Sequence, residues 1–328
     1  MASVAVLGAA GYAGAIAAQI LYKHPFFELT HVTARAEAGQ RLDDVHPRTR
    51  VPLELETFDG QQADAAIVAY PHGAAAPVVA DLRDRGVRVV DLSADFRLRD
   101  RAIYEDWYGE HGAPQYFGQG VYGLPELTRD EVAGADLVAN PGCYPTAALL
   151  GLAPLARAGL IGDVVIDGKS GVSGAGRGAT PTTHFISADE NVSPYKIAGH
   201  RHTPEIEQEL AALGNDVTVT FTPYLLPLAQ GELVTSYVTP AREVSRHEIA
   251  ELFDHEYAAE PFVELRDGPV GVIDVRDTNY CRISWHHDPR TGRVIVFAAI
   301  DNLWKGAASQ AVQNLNLMFG RPESEGLR

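Results

Sequence analysis

The chain opens with a short β-rich run at residues 3 to 7, SVAVL, followed by the glycine-rich GAAGYAG at 8 to 14. Next comes AIAAQILYKHP, a stretch of helical composition that Pro25 stops. The predicted order is strand, glycine turn, helix. Further β-rich runs lie at 27 to 35 (FELTHVTAR), 64 to 70 (DAAIVAY), 86 to 93 (GVRVVDLS) and 135 to 140 (ADLVAN), with a helix predicted near 74 to 85. Strands alternating with helices build parallel βαβ units, and short apolar strands mean a sheet covered on both faces.

Beyond residue 143 the pattern changes. A helix over about 144 to 158 leads into DVVIDGKSG and a Gly/Ser-rich loop; TPEIEQELAAL then reads as a helix with Thr203 as cap and Pro204 at its first position. Longer, alternating strands follow at DVTVTFTPYLL, GELVTSYVTP, GVIDV, NYCRISWHH and RVIVFAAI, the last two joined by the turn DPRTG. Such a run suits a mixed sheet with helices on one face. The closing DNLWKGAASQAVQNLNLMFG is helical and predicted to pack on the first part. The expected architecture is thus an α/β Rossmann-type domain over 1–142, joined by a C-terminal helix at 303–328, and an α+β domain over 143–302 with a mixed sheet.

Gly8, Gly11 and Gly14 follow the first strand and open a helix, the context of a dinucleotide fingerprint, although GxxGxxG departs by one residue from the common GxGxxG. Glycines let the backbone turn sharply and approach a pyrophosphate, whose charge then faces the helix N-terminus. Tyr12 and Ala13 belong to the same turn. About twenty residues on, where NAD-preferring sheets carry an acid, stands Thr33-Ala34-Arg35. An arginine there can meet a 2′-phosphate, so NADP(H) is the expected cofactor.

Two cysteines, Cys143 and Cys281, are too few for a disulfide framework. Cys281, inside NYCRISW, fits an inert core position. Cys143 lies in NPGC, where Pro141 and Gly142 break a strand and a helix begins; a thiol there feels the positive end of the helix dipole. A buried spacer is the commoner use of a lone cysteine, so a partner is needed. His200 and His202 in GHRHTPEIEQ supply one, since a cysteine with a histidine able to move a proton is minimal equipment for covalent acyl chemistry. No further ligand completes a zinc site. The other histidines read as surface or structural. The loop DGKSGVSGAGRG at 167 to 178 offers backbone N–H groups, with Ser173, Gly174 and Arg177. Arg97 and Arg177 are the candidate cations for phosphate and carboxylate.

Net charge is −16, from 43 acidic and 27 basic residues, with no basic cluster, which argues against nucleic acid as a partner. Only four of the basic residues are lysine. No apolar run of membrane-spanning length occurs, and the N-terminus enters a strand without a charged leader. A cytoplasmic location is expected.

Taken together, GAAGYAG, PHG (71 to 73), DLSADFR (91 to 97), VYGLPEL (121 to 127), NPGCYPT (140 to 146), KSGVSGAGR (169 to 177), HRHTPEIEQ (200 to 208) and DNLWKGAA (301 to 308) resemble the N-acetyl-γ-glutamyl-phosphate reductases of arginine biosynthesis, in the aspartate-semialdehyde dehydrogenase-like group. The resemblance spans nearly the whole chain. It implies Cys143 as nucleophile, His202 or His200 as acid/base with His202 preferred, and NADPH held by the glycine turn with Thr33 and Arg35 near the 2′-phosphate. It further implies cofactor contacts from Pro71, His72, Ser173, Gly174 and Asn302, and a homotetramer. The chain departs from the family at Ala34, where serine is usual, and at Ser309, where glycine is usual. The competing readings are another acyl-phosphate reductase (aspartate-semialdehyde or glyceraldehyde-phosphate dehydrogenase), a reductase of carrier-protein-linked glutamyl or aminoadipyl phosphate, and a non-catalytic NADP-binding regulator.

Overall fold

The computed structural model describes residues 1 to 327. The chain divides into two compact units, Met1–Gly142 with the segment from Ala307 onward, and Cys143–Gly306. Among the described residues no helix is long and apolar enough to cross a membrane.

The first unit contains β1 (Ala2–Leu7), α1 (Tyr12–Tyr22), β2 (Phe27–Thr33), α2 (Leu42–Val45), β3 (Leu55–Glu56), β4 (Ala65–Val68), α3 (Ala76–Asp84), β5 (Arg88–Asp91), α4 (Arg101–Tyr108), β6 (Val121–Tyr122), α5 (Pro125–Ala133) and β7 (Leu137–Ala139). Its sheet runs β3-β2-β1-β4-β5-β7-β6 with every pair parallel. Val4, Val6, Ile67, Val68, Val89 and Val90 are fully buried, as two-sided coverage requires. The chain leaves β1 for β2 on one side and reaches β4 on the other. The order therefore reverses at the carboxyl ends of β1 and β4, the place where open α/β sheets bind ligands.

The second unit contains α6 (Cys143–Arg157), β8 (Ile161–Gly171), α7 (Phe185–Ala188), β9 (Ser193–Pro194), α8 (Thr203–Ala212), β10 (Val219–Leu226), β11 (Glu232–Pro240), α9 (Arg246–Tyr257), β12 (Val263–Leu265), β13 (Cys281–His287) and β14 (Val294–Ile300). The sheet order is β12-β13-β14-β11-β8-β10-β9. β8 and β10 are parallel across the α8 crossover, whereas β8–β11, β11–β14 and β13–β14 are antiparallel, so the sheet is mixed. Helix α6 lies on β8, β11 and β14 with α8 and α9 beside it, and every residue from Tyr144 to Ala156 is buried. A side chain at Gly168 of β8 would run into the Tyr144 ring at 2.5 Å, so that glycine makes room for the start of α6.

Pro154 sits inside α6 and has no N–H to give to the Leu150 carbonyl. The Tyr257 hydroxyl, at the end of α9, donates to that same carbonyl. A broken ladder bond is thereby replaced by a bond from the neighbouring helix.

Three sequence expectations need correction. GVIDV is not a strand but a single 3₁₀ turn, Val272–Val275: the Asp274 carboxylate accepts the Gly271 N–H at 3.2 Å, and Ile273 is 73% exposed. The helix after 202 is capped by His202, with Thr203 its first residue. The C-terminal helix does not span 303–328. A π turn at Trp304–Ala308 precedes α10 (Ser309–Met318), and Gly320, at φ +63°, turns the chain ahead of Pro322. Arg328 of that predicted segment lies outside the described residues.

Tyr257→Phe deletes one oxygen and leaves the Leu150 carbonyl buried without a donor. We expect a loss of about 1–2 kcal/mol in urea unfolding at unchanged m-value. Wild-type stability would contradict the assigned role of this bond.

Candidate active site

In the first unit the glycine turn is built as a cradle. Gly8, at φ +87°, would place a Cβ 2.6 Å from the Ala69 carbonyl oxygen, and a Cβ on Gly14 would collide with the Gly8 carbonyl. The Gly8 and Ala9 N–H groups donate to the Thr33 carbonyl at 3.1 and 2.9 Å, fixing the turn to the end of β2. Helix α1 starts at Tyr12 with Gly11 as its cap and no side chain occupying that end. These residues fit a pyrophosphate at the helix N-terminus. Ala13 is half-buried in the first turn, while Tyr12 is exposed and meets the His46 ring edge-on at 6.2 Å.

Thr33 itself is fully buried. Its hydroxyl lies 3.2 Å from the Tyr70 hydroxyl, so Thr33 shapes the site from beneath rather than facing a ligand. Arg35 is exposed, with its guanidinium 5.5 Å from the centre of the Tyr70 ring. Pro71 and His72 are exposed on the loop after β4. That loop is pinned by the wholly buried Asp95, which accepts the N–H groups of Gly73 (2.8 Å) and Ala76 (3.0 Å) and the Tyr104 hydroxyl (2.9 Å). His72 Nδ1 accepts the Ala94 N–H at 2.9 Å, a bond that orients the ring. Burial, then the nearby Asp95, pushes the Asp91 carboxyl up to about 7, although it accepts from Ser93.

Arg97 is only 5% exposed, with Nε on the Asn140 carbonyl and Nη2 on the Leu92 carbonyl, both at 2.8 Å. Asn140 is held again through its side chain, whose oxygen accepts the Asn314 amide at 3.0 Å. Asn314 and Gln310 of α10 also donate to the Gly123 carbonyl, at 2.8 and 3.1 Å. The motifs DLSADFR, VYGLPEL and NPGC thus converge on one buried hydrogen-bonded knot.

In the second unit α6 begins on Cys143, which is half-buried. Glycine at 306 is a close-approach position, since a Cβ there would stand 2.8 Å from the Cys143 Cβ. Ser170 and Glu232 are register partners on β8 and β11 and face α6. The Cys143 thiol and the Ser170 hydroxyl lie against the Glu232 carboxyl, which is fully buried. Burial pushes that carboxyl up to about 8, against the downward pull of those two groups.

His200 and His202 come together with ring centres 4.7 Å apart because the segment turns: the Thr203 N–H donates to the His200 carbonyl at 3.0 Å. His200 is buried among Tyr144, Tyr195 and Phe221, edge-on to each at 5.3–5.6 Å, and its Nδ1 accepts the His202 N–H at 3.2 Å. Burial first, then Lys196 and Arg201, brings its pKa down to about 3. His202 is half-buried, and its ring meets Tyr144, the residue next to Cys143, at 5.9 Å. The Gly/Ser loop forms a 3₁₀ turn, Val172–Ala175, tied by Asn302, whose amide donates to Ser173 Oγ at 3.0 Å and whose oxygen accepts the Gly231 N–H at 2.7 Å. Gly174 and Arg177 are exposed.

The predicted residues therefore fall into two sets. Gly8, Gly11, Tyr12, Ala13, Gly14, Thr33, Arg35, Pro71, His72 and Arg97 belong to the first unit; Cys143, Ser173, Gly174, Arg177, His200, His202 and Asn302 belong to the second. Glu232 escaped notice in the sequence because a lone glutamate in an alternating strand looks like a solvent-facing position. His46, taken as surface or structural, donates from Nε2 to the Ala10 carbonyl inside the glycine turn at 2.8 Å.

Residues 3–135 match the semialdehyde dehydrogenase NAD binding domain, and residues 143–302 match the semialdehyde dehydrogenase dimerisation domain. The first unit is accordingly a nicotinamide-dinucleotide-binding domain. The chain is 48% identical over its full length, and 98% of the relative's, to an N-acetyl-gamma-glutamyl-phosphate reductase of Desulforudis audaxviator (strain MP104C). In fold it is similar to aspartate semialdehyde dehydrogenase II of Vibrio cholerae, with a TM-score of 0.77 at 19% identity over 98% of both chains. The aspartate semialdehyde dehydrogenase of Candida albicans, solved with NADP, gives 0.71 at 16% identity over 97% of this chain and 98% of that one. By these matches the chain is an oxidoreductase that belongs to the N-acetyl-gamma-glutamyl-phosphate reductases, within the semialdehyde dehydrogenase family.

Proposed function

We propose that the enzyme reduces N-acetyl-γ-glutamyl phosphate to the N-acetylglutamate semialdehyde, with release of phosphate, as a step of arginine biosynthesis. The observation that carries the mechanism is a half-buried cysteine at the first position of a buried helix. The first N–H groups of a helix lack intrahelical acceptors and present partial positive charge, which favours the Cys143 thiolate.

The thiolate attacks the acyl carbon, the C–O bond to phosphate breaks, and a thioester forms on Sγ. A thioester accepts hydride more readily than a carboxylate. NADPH, when bound, supplies that hydride. Helix N–H groups at Cys143 stabilise the oxyanion that develops, a contribution on the order of a hundredfold in rate. His202 gives the proton the oxygen needs and takes it back as the C–S bond breaks and the aldehyde leaves. His200, caged by aromatic rings and held neutral, positions the turn that carries His202. Arg177, exposed on the Gly/Ser loop, meets an anionic group of the substrate. Arg97, already committed to two carbonyls, braces the 91–97 turn in this scheme.

Gly8, Gly11, Tyr12, Ala13, Gly14, Pro71 and His72 hold the dinucleotide. Arg35, unopposed by an acid at the end of β2, takes the 2′-phosphate and makes NADP(H) the working cofactor. Copies of the chain associate, as a homotetramer, through the unit whose family match is a dimerisation domain; the face of β8 turned away from α6 supports this, with Asp163 and Val165 exposed.

Turnover is read as NADPH formation at 340 nm from the semialdehyde, NADP and phosphate. Cys143→Ser should abolish it while leaving NADPH binding intact, and turnover in that variant would sink the covalent scheme. His202→Asn should lower kcat by on the order of a hundredfold. A loss of that size in His200→Asn, with His202→Asn near wild type, would reverse the two assignments. Wild-type inactivity on the free semialdehyde despite cofactor binding would transfer the reading to a carrier-linked substrate. Arg35→Ala should raise KM for NADPH on the order of tenfold or more and leave KM for NADH unchanged; equal effects on both would remove Arg35 from the 2′-phosphate.

A further inference from the structure

The scheme above leaves Glu232 unused. It occupies the core face of β11 in line with Val234, Ser236 and Val238, where alternation calls for an apolar side chain. Neither carboxyl oxygen closes a well-formed hydrogen bond among the described residues, and the side chain is fully buried. Two groups lie against it, the Cys143 thiol and the Ser170 hydroxyl. Burying a carboxyl without a cation or a set of N–H donors is strongly unfavourable, and a leucine of similar length would strengthen this core. A group retained at such a cost, beside a cysteine, invites a chemical explanation.

We propose that Glu232 is a catalytic residue that shares one proton with Cys143, accepting it from Sγ to release the thiolate. The proposal rests on Cys143 being the nucleophile. In the resting pair one proton serves two bases, as thiol with carboxylate or thiolate with carboxylic acid. When the S–H bond breaks, the proton moves to a Glu232 oxygen, and Sγ uses the freed electron pair to attack the acyl carbon. Glu232 stays neutral through the thioester and hydride steps, so no second negative charge stands beside the developing oxyanion. When the C–S bond breaks, its electron pair returns to Sγ and the shared proton is again available to it. The two tyrosines nearest Glu232 do not compete for this proton in the working range. Tyr144 and Tyr195 have their hydroxyls pushed well above their ordinary range by burial. Burial pushes the Asp301 carboxyl, at the end of β14, above its ordinary range, against the N–H groups of Asp277, Leu303 and Trp304 and the Gln230 amide, which donate to its oxygens.

The test is the rate of Cys143 alkylation by iodoacetamide between pH 5 and 10 on the full-length protein, followed by mass of the Cys143 peptide. Two bases sharing one proton titrate in two macroscopic steps, so wild type should show two rises separated by a plateau. Glu232→Gln should show one rise, with kcat lowered on the order of a hundredfold, KM for NADPH unchanged and a melting temperature at or above wild type. Glu232→Asp, which keeps a carboxyl, should restore the two-step form. A single rise in wild type, or a Glu232→Gln profile that superimposes on wild type, overturns the proposal. Should Glu232→Gln fail to fold, the wild-type profile decides alone. Turnover by Cys143→Ser would remove the underlying reading. An inactive Cys143→Ser with superimposing alkylation profiles removes Glu232 only.

Discussion

Water exclusion around the first turn of α6 is the constraint from which the chemistry proposed for the second unit follows. Because Tyr144 to Ala156 are all buried, the helix's N-terminal dipole acts in a medium that screens it poorly, and a charge on Sγ gains more there than at a surface. The same exclusion works on every neighbour. It drives His200 down to about 3 and Glu232 up to about 8, so both approach neutrality at ordinary pH. Close packing rests on missing side chains, with glycine at 168 beneath Tyr144 and glycine at 306 beside Cys143.

The first unit solves a different problem by hydrogen bonding. Helix α10 buries Ser309, Gln310, Gln313, Asn314 and Asn316 completely, a composition no apolar core would choose. Each amide that donates finds an acceptor: Gly123 and Asn140 for Asn314, Gly123 for Gln310, Glu126 and Glu323 for Gln313, and the carbonyls of Glu323 and Glu325 for Asn316. Buried polar networks of this kind specify one arrangement rather than maximise stability, since mispairing any member leaves a desolvated group behind. They explain why short motifs far apart in sequence, at 91–97, 121–127 and 140–142, meet at one place.

Much of this was legible in the chain. The first strand, the glycine turn and α1 announced themselves through composition and Pro25, and the alternating runs marked the mixed sheet. Illegible elements had local signals that hydrophobic period does not capture. Helix α9 is announced only by Ser245, whose hydroxyl accepts the Glu248 N–H at 3.1 Å, and α4 by Asp100, which accepts from Ala102 and Ile103. GVIDV has strand composition, but it is too short to resist an aspartate that closes a turn over its own backbone. Among the residues proposed for the site, Gly8, Gly11, Gly14, Cys143 and the paired histidines could be named from their positions beside strand and helix ends. Glu232 could not, because only the register with Ser170 reveals that it faces α6. Nor could the burial of Thr33 and Arg97, which depends on Tyr70 and on carbonyls distant in sequence.

The proposed acyl transfer to Cys143 can be isolated from the proposed reduction by omitting NADPH. Rapid quenching of the enzyme with N-acetyl-γ-glutamyl phosphate should release one equivalent of inorganic phosphate per protomer, and the peptide bearing Cys143 should gain the mass of the N-acetylglutamyl group. Phosphate release that requires NADPH, or a quenched enzyme with Cys143 unmodified while product forms in the complete reaction, would contradict a covalent route through this residue.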